Sequence, residues 1–166
     1  IKRSSIISTG VLMICRQHWR GHRGDRVGIW SPNRYEWTVT QFATAKVGAI
    51  LVNINPAYGV HELQYAMNLA GISVLVTADR FKTSNYRAML YELAPELKRS
   101  APGKLKAEAV PELRAVINVH EDRHDGMWTW QEFLSHAGAV SQAQLEQRQD
   151  ELQFDDPINI QFTTTL

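Results

Sequence analysis

The chain holds a single cysteine, Cys15, so no internal disulfide can form, and a lone thiol suits a reducing compartment. It also lacks a membrane-length apolar run: the best candidate, residues 6–15, is short and broken by Ser8, Thr9 and Gly10. Charge of one sign is missing too. With 18 basic and 17 acidic residues the formal net charge is +1, which argues against a generic nucleic-acid binder. Neither GxGxxG nor GxxxxGK[ST] occurs, which disfavours a small self-contained dinucleotide or nucleoside-triphosphate binder of those kinds. No internal repeat or low-complexity tract is present. Acidic residues are absent before Asp25, while Lys2, Arg3, Arg16, Arg20 and Arg23 precede it. The remainder then carries 13 basic against 17 acidic residues, a net of −4, so the basic excess is confined to residues 1–23. That basic, serine-containing, acid-free start has the composition of a mitochondrial transit segment, and it fits equally an unrelated sequence joined ahead of the rest. The expectation is a soluble, intracellular chain of 166 residues, long enough for one domain.

What is present begins at Gly24. Val27, Ile29 and Trp30 follow Gly24-Asp25 as a short apolar strand, and Ser31-Pro32-Asn33 offers a helix start. Tyr35, Val39 and Phe42 recur at helical spacing as an apolar face, and Gly48 closes the helix. A second apolar run, Ala49–Val52, stops at Asn55-Pro56. Two such runs joined by a helix predict a right-handed βαβ crossover in a parallel sheet.

The alternation continues. A helix is expected over 59–69, with Val60, Leu63, Met67 and Ala70 on one face and Gly71 ending it. Ser73–Thr77 reads as a buried strand, and Asp79 or Ser84 as the cap of a helix whose stripe is Tyr86, Met89, Leu90 and Leu93. Pro95 and Pro102-Gly103 mark a polar surface segment reaching Pro111. Leu113–Val119 is another strand, and 130–136 and 141–152 are short helices, the second polar and peripheral. Asp156–Thr163 is the last strand. The fold class is α/β, a partial doubly wound parallel sheet.

Several local patterns resemble sites, and each has a plainer explanation. His120-Glu121-Asp122-Arg123-His124 matches H-E-x-x-H, but that signature binds metal only on a helix, and here it leaves a strand and is broken by Asp125-Gly126. A solvated loop is expected. His18 and His22 share the spacing with Gly21 between them. Arg23-Gly24-Asp25 spells an adhesion tripeptide and reads as the turn entering the first strand, with Asp25 at its start. Trp30, Trp37, Trp128 and Trp130 are expected to pack against the sheet, because no basic residues interleave with them as a nucleic-acid platform needs. Asn53, Asn55 and Tyr58 lie at the carboxyl end of a parallel strand, where open α/β sheets bind ligands, yet Asn-Pro turn chemistry accounts for them. Asp155 and Asp156 fall at the opposite, amino end and are assigned to solvation. No Ser-His-Asp or Cys-His pairing can be assembled.

GDRVGIW, a helix, and then VGAILVNINPAY resemble the N-terminal region of the AMP-forming acyl-CoA synthetases, within the adenylate-forming superfamily. NPAYGVHELQYAMNLAG, DRFKTSNYRAML and DPINIQFT are similar to the mitochondrial medium-chain subgroup, and the resemblance runs from Gly24 to Thr163. It implies three regions: a basic head at 1–23, an incomplete N-terminal AMP-binding domain at 24–163, and a truncated terminus at 164–166. The head, transit-like in composition, is better read as unrelated sequence, because in the family folded sequence separates a transit segment from the first strand, and here the head abuts it. The resemblance also implies an enzyme that uses ATP, Mg and CoA to activate medium-chain fatty acids through an acyl-adenylate in the mitochondrial matrix.

In the family the last strand runs into a loop of the form TSGTTGxPKG, whose amides and lysine cradle the ATP phosphates. Thr163 matches its first threonine and is the one cofactor-binding residue carried over. Thr164-Thr165-Leu166 follow with neither glycine nor lysine, so this chain alone is expected not to bind ATP, Mg or CoA productively, and it carries no assigned catalytic or metal-binding residue. The other reading is a non-catalytic module that pairs with a full-length ligase through an open sheet edge. No residue pattern specifies an oligomeric state.

Overall fold

A computed structural model describes residues 24–136 and 140–162. The expectations for residues 1–23, and for Thr163 with residues 164–166, lie outside the described residues. The first strand, β1 (Arg26–Trp30), leads into α1 (Tyr35–Val47), β2 (Ile50–Asn53), α2 (Val60–Ala70) and β3 (Val74–Thr77). A small antiparallel hairpin follows, β4 (Arg80–Phe81) with β5 (Ser84–Asn85), then α3 (Tyr86–Leu93) and a 3-10 turn, Pro95–Arg99. The chain continues through β6 (Ala115–Asn118), β7 (Met127–Thr129), α4 (Trp130–Ser135), α5 (Gln142–Asp150) and β8 (Asn159–Gln161).

Six strands form one sheet in the order β7-β6-β3-β1-β2-β8, and every neighbouring pair is parallel. Strands buried on both faces read as continuous apolar runs rather than alternating ones, and β3 and β6 are buried throughout. The chain steps from β1 to β2 on one side and returns to place β3 on the other. Right-handed crossovers therefore put α1 and α2 on opposite faces, the doubly wound arrangement the alternation predicted. Gly48 and Gly71 end α1 and α2 in the left-handed conformation, as expected from sequence. Among the described residues, no helix is long and apolar enough to cross a membrane.

Several expectations need correction. Of the stripe Tyr35, Val39 and Phe42, Val39 alone packs partly against the core: Tyr35 is 58% exposed and Phe42 61%. The buried face of α1 is Glu36, Thr40, Ala43, Thr44 and Val47. Small side chains let the helix lie close to the sheet, and the buried hydroxyls are satisfied within the helix. Thr40 Oγ1 donates to the Glu36 carbonyl at 2.7 Å and Thr44 Oγ1 to the Thr40 carbonyl at 3.0 Å. Helix α3 is capped by Asn85, whose side chain accepts from the Ala88 amide, rather than by Asp79 or Ser84. The 95–111 segment is pinned by buried Leu97, Leu105, Ala107 and Val110, while its charged residues, with Pro95, Ala101, Pro102 and Pro111, form surface. The β4–β5 hairpin and strand β7 were not anticipated. The short helices were: Thr129 and Ser141 start α4 and α5 with capping boxes closed by Glu132 and Gln144.

Candidate functional site

In a doubly wound sheet the ligand crevice opens at the carboxyl ends of the two strands between which the chain reverses direction. Here those strands are β1 and β3, paired in register from Val27↔Val74 to Trp30↔Thr77. The position is filled by protein. Trp30, the last residue of β1, stacks on Tyr86, the first of α3, with ring centroids 3.7 Å apart and planes inclined by 14°. Both residues are 0% exposed. Each polar atom is used: Trp30 Nε1 donates to the Asn55 carbonyl at 3.2 Å and Tyr86 Oη to the Pro56 carbonyl at 2.6 Å. Burial pushes the Tyr86 phenol up to about 12. The pair ties β1, α3 and the Asn55-Pro56 turn together and closes the crevice.

Beside this plug, at the ends of β3 and β6, lies a polar cluster. Asp79 accepts from Asn118 Nδ2 at 2.5 Å and faces His124 Nε2 at 3.1 Å. Burial alone would raise the Asp79 carboxyl. The Asn118 hydrogen bond and the fields of His120 and His124 outweigh it and hold the group below the ordinary carboxylate range. The Asn118 side-chain oxygen accepts from the His120 amide at 2.8 Å. Arg34, just ahead of α1, grips the buried Glu36 carboxylate through Nε at 3.1 Å and Nη2 at 3.3 Å.

The sequence-derived candidates separate once placed in the fold. His120 sits on a bend after β6 and His124 on the irregular stretch that follows, as expected of a loop, and they diverge. His120 meets Arg34 and His124 meets Asp79 and Arg87. Among the described residues no group of three or more His, Cys, Asp or Glu could hold a metal ion. Asn55 makes the turn expected of it, its side-chain oxygen accepting from the Ala57 amide at 2.9 Å. Asn53 reaches across to β8, where Nδ2 donates to Asn159 Oδ1 at 3.4 Å. Tyr58 is half-buried against the core. Asp156 caps its own turn by accepting from the Gln153 amide at 2.8 Å, away from the carboxyl edge. Trp30 and Trp130 are buried, and Trp37 and Trp128 are half-buried against the core. The link between Asp79, Asn118 and His124 escaped sequence reasoning, and its visible signal was that Asn118 ends β6 and Asp79 lies just past β3.

The crevice between β1 and β3 is filled by two aromatic rings, and the polar side chains at the carboxyl edge mostly bond one another or nearby backbone, with Asn53 Oδ1 buried without a hydrogen-bond partner. What the arrangement does is brace a parallel sheet.

The chain matches the family described as AMP-binding enzyme over residues 20–164. It is 41% identical over 142 residues to "Medium-chain acyl-CoA ligase ACSF2, mitochondrial" of Danio rerio, covering 86% of this chain and 23% of that protein. The Homo sapiens protein of the same name is 42% identical over 144 residues, with the same coverage of 86% and 23%. Among solved structures, the coronafacic acid ligase of Pectobacterium brasiliense superposes with a TM-score of 0.64 at 16% identity, covering 95% of this chain and 27% of that one. A fatty acyl CoA synthetase of Mycobacterium tuberculosis gives a TM-score of 0.63 at 14% identity, covering 96% and 26%. The chain spans about a quarter of the length of the curated relatives it matches. At those identities the superpositions show the fold alone, while the family match covers most of the chain and the curated relatives exceed 40% identity. On that basis this chain belongs to the AMP-binding enzyme family.

Proposed function

We propose that these residues are a scaffold portion of a fatty acid–CoA ligase that activates medium-chain acids. The reaction joins ATP, a fatty acid and CoA into acyl-CoA, AMP and diphosphate through an acyl-adenylate. The supporting observation is the identity of 41–43% to relatives named as mitochondrial medium-chain ligases, spread over 86% of the chain. A mitochondrial matrix location belongs to the same reading and has the same support. Residues 24–163 form the family region, with residues 1–23 as a head outside it. Thr163 is the first residue of the phosphate loop and contacts ATP in a ligase that carries the whole loop.

On this reading the 166 residues supply the braced sheet that leads up to the phosphate loop, and they do not perform the chemistry alone. They include no glycine-rich loop with its lysine, and the crevice at β1 and β3 is filled. Two assays test the two halves. A chimaera of the human relative carrying residues 24–163 in place of its matching segment should release AMP in the presence of octanoate and CoA. A folded chimaera without that activity overturns the ligase reading. The 166-residue chain by itself should give no octanoate-dependent exchange of pyrophosphate into ATP. A clear exchange signal overturns the scaffold reading and leaves the ligase reading standing.

A further inference from the structure

A continuous chain of polar contacts crosses the carboxyl edge of the sheet and joins the start of α1 to α3. It runs from Glu36 to Arg34, His120, Asn118, Asp79, His124 and Arg87. Its weakest junction is chemical rather than geometric. Arg34 Nη1 lies 3.3 Å from His120 Nε2. A guanidinium only donates, so this contact is a hydrogen bond only while Nε2 accepts, that is, while the ring is neutral with its proton on Nδ1. The buried Glu36 carboxylate, its side chain 4% exposed, accepts from Nε and Nη2 along one edge of the guanidinium and steadies Arg34.

A proton added to His120 removes the accepting lone pair and sets a second cation 3.3 Å from the first. The charged groups facing His120 are Arg34, with Glu36 behind it, and Asp79 beyond Asn118. Asp79 attracts an imidazolium, but its Oδ1 already accepts from Asn118 and faces His124, and no hydrogen bond joins it to His120. His124 stands differently. Arg87 Nη1 lies 3.3 and 3.2 Å from its two ring nitrogens, a position over the ring, while Nε2 points at a carboxylate. A proton there meets Asp79 as well as Arg87. Elsewhere on the loop, Arg123 pairs with Glu132 of α4, and the Asp125 carbonyl accepts from Tyr91 Oη at 3.1 Å.

We propose that the Arg34–His120 contact is a pH-sensitive latch that fastens loop 119–126 to the start of α1 and releases it on acidification. Histidine is the side chain whose charge ordinarily changes between pH 5 and 8. The inference rests on the described side chains and is independent of the ligase reading.

The test is amide hydrogen exchange on the full chain at pH 8 and pH 5.5, with each rate corrected for the intrinsic rate at that pH. The His120 and Met127 amides report the loop, and the β3 amides report global opening. In the wild type, loop protection should fall at least about tenfold at pH 5.5 while β3 stays protected. His120→Gln keeps an accepting atom without a titrating one, and its loop protection should be the same at both pH values. His124→Gln should retain the wild-type response. Equal loop protection at both pH values in the wild type, an undiminished response in His120→Gln, or loss of β3 protection in step with the loop would each overturn the latch.

Discussion

Gly126 sits where the chain turns into β7 with φ of +73°, and a Cβ there would lie 2.0 Å from the Leu97 carbonyl oxygen. Neither problem can relax cheaply, because the obstacle is backbone and the conformation is left-handed. Gly126→Ala should destabilise the chain by roughly 2–4 kcal/mol, read as a lower urea midpoint with an unchanged slope. Lys82 is the opposite case. It is the non-glycine residue of positive φ, +51°, among the described residues, exposed at the tip of the β4–β5 hairpin. The left-handed conformation costs an L-residue about 1–2 kcal/mol, part of which glycine loses again through backbone entropy. Lys82 also places Nζ 5.3 Å from the centroid of Phe81, worth roughly 0.5 kcal/mol at an exposed site. Lys82→Gly should therefore stabilise by a few tenths of a kcal/mol, roughly 0.5, in the same denaturation measurement.

Helix α1 shows how an element can be legible in extent and misread in orientation. Its start after Ser31-Pro32-Asn33 and its end at Gly48 follow from local chemistry, and so do the capping boxes of α4 and α5. Its buried face does not. Hydrophobic periodicity selects Tyr35, Val39 and Phe42, the larger apolar residues, whereas the sheet selects side chains small enough for close approach. Thr40 and Thr44 look polar in sequence, yet each hydroxyl closes onto a carbonyl of its own helix and can be buried at little cost. Two substitutions one position apart separate the faces. Phe42→Gln should change stability by less than about 0.5 kcal/mol, as exposed positions do. Ala43→Leu, at a site with no exposed surface, should cost about 1–3 kcal/mol by overpacking. Paired thermal melts decide between them, and a larger loss from Phe42→Gln would restore the sequence-based face. Likewise the 95–111 segment reads as polar surface because its lysines, arginines and glutamates outnumber the apolar residues that anchor it. Leu105 and Ala107 alternate with exposed Lys104, Lys106 and Glu108, but that run is too short to stand out against the turn residues around it.

For the whole molecule, the alternation of strands and helices was readable and the strand order was not. Order is set by which side of β1 each crossover returns to, and no local residue pattern encodes that choice. The filled crevice is invisible for the same reason: Trp30 and Tyr86 are far apart in sequence, and they meet only because β1 and β3 are neighbours. That pairing makes global stability sensitive to alkali. The Tyr86 phenol titrates at about 12 in the folded chain, against 10.0 as its ordinary value, because burial disfavours the phenolate. As pH rises past 10 the unfolded chain loses this proton first, so unfolding becomes progressively easier until the folded phenol also ionises. The stabilisation is complete below pH 10 and disappears toward pH 12. Tyr91 is raised as well, by burial first and by Asp125 second, so it adds to the same trend. Absorbance near 295 nm should show Tyr86 as the last of the five tyrosines to ionise, in step with the loss of helical circular dichroism. Tyr86→Phe keeps the stacked ring and removes the titrating hydroxyl along with its bond to the Pro56 carbonyl. Its stability at neutral pH should fall by about 1 kcal/mol for that lost bond, and its decline above pH 10 should be shallower than in the wild type. Equal alkaline slopes in the two proteins would mean that the phenol is already solvated, and that the crevice between β1 and β3 is open to water.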